Sequence, residues 1–176
     1  AGWHMIEAGR GTERALQVCA LLTETTGRVR ARRAERDVLS ARLRAAESTI
    51  TYRRRHRGAP AAAGVLELLL ADGDNPRSLA CAVAELRCHL AALPASTGAT
   101  RPERLADLLA ASIAEIDVAE LASADPTGTV RPGVLVLLED VSGRLEQLSD
   151  AVHELHFSGG LPPLALSELS LIEEAG

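Results

Sequence analysis

The stretch of sequence that decides the fold is PGVLVLLEDVSGRLEQLSDAVHELHF, residues 132–157. Its apolar side chains recur along one face at alternating steps of four and three residues: Val134, Leu138, Val141, Leu145, Leu148, Val152 and Leu155. This heptad spacing is typical of a helix packed in a bundle. A second segment repeats the same steps at Leu79, Val83, Leu86, Leu90 and Leu93. The sequence therefore predicts two helices held in a core by apolar seams.

The composition extends this prediction to the whole chain. Of 176 residues, 31 are Ala and 28 are Leu, whereas only Trp3, Tyr52 and Phe157 are aromatic. Ala and Leu favour helices, and the aromatic and β-branched residues that strands prefer are scarce. We therefore expect an all-α fold, an up-and-down helical bundle of about five or six helices. Sandwiches, barrels and doubly wound sheets are excluded.

Glycine and proline divide the chain into six predicted helices, which span residues 3–25, 29–57, 61–70, 75–93, 102–122 and 132–157. Gly27 ends the first helix, and Asn75, as an N-cap before Pro76, begins the fourth. We expect residues 1–157 to form one domain and residues 158–176 to form a flexible tail. Because the chain starts within a helical pattern, we also expect it to be part of a longer protein.

The formal net charge of -5 is unevenly distributed along the chain. Residues 28–57 contain 11 Arg and 3 acidic residues, whereas the rest contains 8 Arg and 21 acidic residues. Lysine is absent, so every fixed cation is a guanidinium, which suits carboxylate and phosphate. The basic segment is either a solvated helix face or a dock for an anionic partner. Nucleic acid is not expected, because Tyr52 is the only aromatic residue there that could stack on a base.

No motif for catalysis or metal binding stands out. His153 and His156 are three residues apart without a third ligand, so we expect no metal site and no cofactor in this chain. Cys19, Cys81 and Cys88 lack the C-x-x-C spacing, which favours a cytoplasmic location without disulfides. No apolar stretch is long enough to cross a bilayer, so no membrane partner is expected.

Helical spacing places charged side chains on the inner stripe of the first helix. Arg14 falls in line with Val18 and Leu21, and Arg10 and Glu13 lie on one flank beside it. Charges on an inward face need partners. The cluster is therefore either a ligand site or an ion-pair network that fixes the helix register.

Two further polar segments flank the apolar middle of the chain. In the second helix, one face collects Val29, Arg36, Leu39, Leu43, Ala46 and Ile50, and the remaining Arg cluster toward residues 52–57. Arg77 stands at the second position of the fourth helix, where the helix dipole disfavours a cation. We therefore expect Asp72, Asp74 or a bound anion to use its charge.

Four segments of the chain resemble one known family in order and approximate spacing: GWHMIEAGRGTERAL (2–16), TYRRR (51–55), DNPRSL (74–79), and LSDA (148–151) with FS (157–158). The family is the alpha-E family of bacterial all-helical domains, named for a Glu-Arg motif that Glu13-Arg14 matches. Leu155 and His156 depart from the Arg and Tyr that the family has before Phe157. Family members are longer, so the chain is similar to their C-terminal half.

The resemblance implies a setting for the chain. The family is associated with circularly permuted ATP-grasp enzymes, fused or separate, and with transglutaminase-like proteins. It therefore implies a helical accessory or substrate-binding module of an ATP-grasp-type amide or peptide ligase system. ATP and Mg would then be bound by the ATP-grasp partner.

The candidate ligand-binding residues combine the resemblance with the polar clusters: Arg10, Glu13, Arg14, Tyr52, Arg53, Arg55, Asn75, Arg77, Ser78 and Asp150. We expect Arg side chains to recognise a carboxylate or phosphate, and Glu13 to recognise an amine. Two alternatives stay open. In the first alternative, the chain is a catalytic domain in its own right, with Glu13 as acid or base. In the second, it is a structural bundle that forms a homo-oligomer.

Overall fold

The computed structural model describes residues 2–158. Its helices are α1 (Gly2–Thr26), α2 (Arg32–Ala45), α3 (Thr49–Arg55), α4 (Ala62–Leu66), α5 (Leu79–Ala91), α6 (Arg101–Ala114), α7 (Val118–Leu121) and α8 (Pro132–His156). A π-helical segment, Glu67–Ala71, continues α4. The all-α prediction is confirmed. The predicted tail lies outside the described residues except for Ser158.

Four helices, α1, α5, α6 and α8, form the body of the bundle. Both α1 and α6 pack against α5 and α8. Arg101 at the start of α6 pairs with Glu154 near the end of α8, with 2.6 Å between Nη1 and Oε2. Arg131, just before α8, donates to the carbonyl of Thr26 at the end of α1 at 3.0 Å. With the short connection from α5 to α6, neighbouring helices run in opposite directions, as the up-and-down prediction requires.

The two apolar seams lie in the core of this bundle. The α5 seam is buried along its whole length, from Leu79 to Leu93. The α8 seam is buried from Val134 to Leu148, but Leu155 is exposed because the last turn of α8 extends beyond the core. Each fully buried leucine stabilises the fold by roughly 2 kcal/mol relative to an exposed one. Among residues 2–158, no helix combines the length and apolarity that a membrane crossing demands.

The segment between α1 and α5 is an insertion made of α2, α3, α4 and the π-helical segment. The predicted single helix over 29–57 is wrong, because the chain breaks between α2 and α3. Glu47 adopts a left-handed conformation with φ 52, and the hydroxyl of Ser48 donates to the carbonyl of Ala46 at 2.9 Å. A residue in the left-handed conformation ends a helix. A serine hydroxyl that bonds a nearby backbone carbonyl competes with the hydrogen bonds that would continue the helix. Ile50, predicted on the apolar face, is consequently exposed.

Two other helix boundaries differ from the prediction. α5 begins at Leu79, because Ser78 and not Asn75 is its N-cap: the Ser78 hydroxyl accepts from the backbone N–H of Cys81 at 3.0 Å. The predicted helix over 102–122 ends at Ala114, and α7 follows it as a separate turn. The six predicted helices are therefore eight in the part of the chain that the structure describes.

Candidate functional site

The charged residues of α1 do not line an inner stripe. The buried positions of α1 are instead Ala8, Gly11, Thr12, Ala15, Val18, Cys19, Leu22 and Thr26. The Arg14 side chain is 42% exposed and Leu21 is exposed. The inward placement predicted for Arg14 is wrong, because the small residues of α1 face α5, where the two helices approach closely.

The predicted α1 cluster also separates into individual surface contacts. Arg10 pairs with Glu7 on its own helix, with 2.9 Å between Nη1 and Oε1. Arg14 pairs with Glu85 of α5, with 3.1 Å between Nη1 and Oε2. Glu13 is exposed, and its side chain forms no hydrogen bond or ion pair within residues 2–158. Of the α1 residues predicted, only Arg14 therefore faces another helix.

The turn before α5 is held by the buried side chain of Asn75. Its Nδ2 donates to the carbonyl of Leu68, in the π-helical segment, at 2.8 Å and to the Ser48 hydroxyl at 3.4 Å. Its Oδ1 accepts from the backbone N–H of Arg77 at 3.1 Å. Asn75 thus ties three segments of the insertion together, and its hydrogen bonds are used inside the fold.

The Arg-rich end of α3 docks beside the same turn. Arg55 pairs with Asp72, with 2.5 Å between Nη1 and Oδ2. Tyr52 is buried, and its hydroxyl accepts from the backbone N–H of Ala61 at 3.1 Å. The structure therefore places Arg55 beside the turn that precedes α5, through Asp72, whereas Tyr52 bonds to Ala61, and both side chains are engaged in contacts within the chain.

Two predicted site residues take no part in these side-chain hydrogen bonds and ion pairs within the described range. Arg53 lines a cavity of about 430 Å³ together with Tyr52, Arg36 and Arg44. Asp150 is exposed on α8 and forms no hydrogen bond or ion pair with the other predicted site residues in the described range. Neither residue shares a pocket with Arg14.

Three predicted residues do share a pocket, which lies between α1, α2 and the start of α5. This three-arginine pocket has a volume of about 180 Å³ and is lined by Arg14, Gln17, Val18, Leu21, Arg42, Ala45, Ala46, Arg77 and Ser78. Arg14, Arg77 and Ser78 belong to the predicted set. The pocket combines guanidinium groups with an apolar wall, which suits an anion attached to an apolar group.

Arg42 is the residue of this pocket that sequence reasoning missed. It is only 7% exposed, and its Nε is enclosed without a hydrogen-bond partner. No carboxylate within residues 2–158 pairs with it. Burial lowers the pKa of the Arg42 guanidinium, since desolvation disfavours the charged form. A buried, unpaired cation is costly in a folded protein and marks a position where an external anion would be stabilising.

The other two arginines of the pocket already have partners at its rim. Arg14 pairs with Glu85, as described above, and Arg77 pairs with Glu47. The predicted use of the Arg77 charge by Asp72 or Asp74 is wrong, because the left-handed Glu47 directs its carboxylate to Arg77 instead. The three-arginine pocket is left with one uncompensated positive charge, that of Arg42.

A family model matches residues 1–157, and its description is a predicted alpha-helical domain with a conserved ER motif, under the name Alpha-E. The chain belongs to the Alpha-E family. This finding confirms the resemblance on which the sequence interpretation rests. No solved structure matches the chain.

Three curated relatives of this Alpha-E chain come from Mycobacterium bovis and from two strains of Mycobacterium tuberculosis, and each is named as an uncharacterized protein. Each is 37% identical over 165 residues, which cover 93% of this chain but 19% of the relative. The Alpha-E chain therefore spans about a fifth of the length of these relatives.

The Alpha-E chain contains Glu-Arg pairs at 13–14, 35–36 and 103–104, and their glutamates differ in environment. Glu13 is exposed. Glu35 pairs with the buried Arg131, with 2.5 Å between Oε1 and Nη2. Glu103 completes the capping box of α6 with Thr100. The match that the sequence assigns to Glu13-Arg14 stays a prediction, since the family description gives the motif no position.

A second buried guanidinium was also missed by the sequence interpretation. Arg131 donates from Nε to the carbonyl of Ala122 at 3.0 Å, and from Nη1 to those of Thr26 at 3.0 Å and Arg28 at 3.2 Å. With the Glu35 carboxylate, these carbonyls form the Arg131 clasp, which joins α1, α2, α7 and α8. Every donor nitrogen of Arg131 is engaged, so the clasp is a structural element of this chain's fold.

Proposed function

We propose that this chain is an accessory module of an ATP-grasp-type amide or peptide ligase system, and that it binds an anionic or amino-acid-like group in the three-arginine pocket. The observation that carries the proposal is Arg42, a buried guanidinium without a partner among residues 2–158. The association with ATP-grasp enzymes is what the resemblance to the Alpha-E family implies, and the proposal adopts it. The ligand would be a substrate group presented to the ligase.

The size of the relatives supports a role as a module. The match covers 93% of this chain and 19% of each mycobacterial relative. An Alpha-E unit of this kind therefore occurs within much longer polypeptides, which have room for other domains. We expect one of those domains to be an ATP-grasp ligase, which would bind the ATP and Mg.

The chemistry of the pocket supports anion recognition. A guanidinium presents donors that match a carboxylate or phosphate, and charge-assisted hydrogen bonds contribute about 1.5–3 kcal/mol each. Arg14 and Arg77 at the rim and Arg42 at the base surround one small volume. Glu13, proposed from the sequence to bind an amine or to act as acid or base, is exposed and outside this lining. The geometry therefore favours binding by arginine over catalysis by Glu13.

Isothermal titration calorimetry would test the binding part of the proposal. The tripeptide Glu-Glu-Glu and, separately, MgATP are titrated into the wild-type chain, Arg42→Met and Arg87→Met. Arg87 is a matched control, because it lies on the surface of α5, pairs with Asp107 and does not line the pocket. We expect the peptide to bind the wild type and Arg87→Met equally, and at least tenfold more weakly to Arg42→Met. Absent binding, or equal binding by Arg42→Met, would contradict the proposal.

The ligase part of the proposal needs a separate test on a full-length relative. The purified mycobacterial protein is assayed for release of ADP from ATP in the presence of acidic peptide and an amine. We expect ADP release to depend on the peptide and to decrease when the equivalent of Arg42 is replaced by Met. A full-length relative without nucleotide turnover and without an ATP-grasp domain in its remaining sequence would overturn the association.

A further inference from the structure

The charges around the three-arginine pocket specify its ligand more closely, and this step rests on the proposed function. We infer that the pocket binds a single carboxylate carried on a short aliphatic stem, in preference to a phosphate. Such a group is the side chain of an acidic residue or the C-terminal carboxylate of a peptide. Three observations carry the inference: the charge balance, the apolar wall and the small volume.

The charge balance of the pocket suits a monoanion. Arg14 is neutralised by Glu85, and Arg77 by Glu47, which leaves one positive charge on Arg42. One carboxylate cancels that charge. A phosphate group attached to a carbon chain carries a charge of about -1.5 to -2 near neutral pH. It would leave excess negative charge beside the two glutamates.

The wall of the pocket suits an aliphatic stem. Val18, Leu21, Ala45 and Ala46 line it, and Gln17 is its neutral polar side chain. Methylene groups of a ligand would be removed from water against this wall, at about 0.8 kcal/mol for each buried CH₂. Inorganic phosphate has no such group to bury, so the wall favours an anion that extends from a short chain.

The volume and the position of Arg42 limit the ligand further. About 180 Å³ is smaller than the pockets of roughly 300–1,000 Å³ that hold drug-sized molecules, so a nucleotide does not fit. Because Nε of Arg42 is enclosed, a ligand meets the terminal amino groups of the guanidinium. These present two parallel N–H bonds in the plane of a carboxylate. The pocket therefore fits the end of a side chain or of a peptide.

Paired probes with the same stem and different head groups test the inference. Butyrate and propyl phosphate are titrated into ¹⁵N-labelled chain, and binding is followed at the backbone amides of Ala45 and Ala46. We expect butyrate to bind at least tenfold more tightly than propyl phosphate and to lose its binding in Arg42→Met. N-acetyl-glutamine and N-acetyl-glutamic acid amide then present a C-terminal and a side-chain carboxylate, respectively. Binding of either supports the inference, and the tighter one identifies the source.

A variant that changes the charge count gives the sharper test. Glu47 and Glu85 are both exposed, so the double substitution Glu47→Gln and Glu85→Gln should leave the fold intact. It removes two negative charges, which leaves Arg14 and Arg77 without their carboxylate partners. We expect this variant to bind propyl phosphate at least tenfold more tightly than the wild type does. An unchanged preference would overturn the charge argument.

The outcomes separate this inference from the proposed function. If propyl phosphate binds the wild type as tightly as butyrate, and both depend on Arg42, the carboxylate inference fails while anion binding stands. If neither probe binds, or if Arg42→Met binds like the wild type, the inference and the proposed anion site fail together.

Discussion

Arg42 and Arg131 have the same side chain and the same exposure of 7%, yet their surroundings are opposite. The guanidinium of Arg131 is engaged by three backbone carbonyls and the Glu35 carboxylate. The guanidinium of Arg42 has no carboxylate partner among residues 2–158, and its Nε has no hydrogen bond. All donor nitrogens of Arg131 are therefore hydrogen-bonded within the chain, whereas the buried Nε of Arg42 is not.

The difference teaches where to look for a ligand in this chain. Removing a charge from water costs several kcal/mol, and partners must offset that cost. In the Arg131 clasp the partners come from the ends of α1 and α7 and from α2. In the three-arginine pocket, between the core and the insertion, the described residues do not supply one. The proposed ligand site therefore rests on burial without a partner, and not on burial alone.

The largest effect should follow from breaking the clasp. Arg131→Met leaves the half-buried Glu35 carboxylate and the buried carbonyl of Thr26 without their donor. We expect the free energy of unfolding to fall by about 3–5 kcal/mol, measured by urea denaturation. Arg101→Met is the control, because its pair with Glu154 is exposed and exposed pairs contribute about 1 kcal/mol or less. Equal effects in the two variants would remove the structural role assigned to the clasp.

Arg42→Met should act in the opposite direction. Methionine keeps much of the side-chain volume and removes an uncompensated buried charge, so the free energy of unfolding should rise by about 1 kcal/mol. The same substitution should abolish the thermal stabilisation that butyrate gives the wild type. A loss of stability close to that of Arg131→Met would mean that Arg42 is satisfied within the chain, and the contrast between the two arginines would disappear.

The sequence predicts the bundle well because the signals that form it are periodic and local. The steps of four and three residues in α5 and α8 identify the buried leucines directly, and Gly27 marks the end of α1. The break between α2 and α3 escapes this reasoning. It depends on a left-handed Glu47, and its carboxylate is then paired with Arg77, 30 residues away.

The site is harder to predict, because it depends on which arginine of a basic segment is buried. The apolar face drawn through Leu39 and Leu43 included Arg36, which is exposed. Arg42 lies three residues after Leu39 and four before Ala46, a spacing that could have identified it. Its lack of a partner could not be predicted, since that depends on how α1, α2 and α5 pack. The predicted residues Arg14, Arg77 and Ser78 lie in the same pocket only because α1, α2 and the start of α5 pack together there.

Glu103 is a carboxylate whose oxygens, like the guanidinium of Arg131, have hydrogen-bond partners within the chain. Hydrogen bonds from the hydroxyls of Ser96 and Thr100 and the backbone N–H of Thr100 lower the pKa of Glu103 from 4.5 to about 2. A pKa lower in the folded than in the unfolded chain stabilises the fold above pH 4.5, and this stabilisation is lost as the pH falls toward 2.

Glu103→Gln should therefore lose less stability than the wild type between pH 5 and pH 2. Urea denaturation across this range measures the difference. Glu146→Gln serves as the control, because Glu146 is exposed and its side chain forms no hydrogen bond or ion pair in residues 2–158. Parallel pH profiles for wild type and Glu103→Gln would exclude a lowered pKa at this position.

The smallest change in stability, and the finest test of the pocket, comes from its rim. Arg14 and Glu85 are 42% and 46% exposed, so Arg14→Ala should lower the free energy of unfolding by only a few tenths of a kcal/mol. This substitution leaves Glu85 unpaired, and the Glu85 carboxylate then offsets the positive charge of Arg42. Butyrate binding should therefore weaken several-fold. Adding Glu85→Ala restores the charge balance and should restore binding. If the double variant still binds weakly, Arg14 contacts the ligand itself, and recognition depends on both arginines rather than on Arg42 alone.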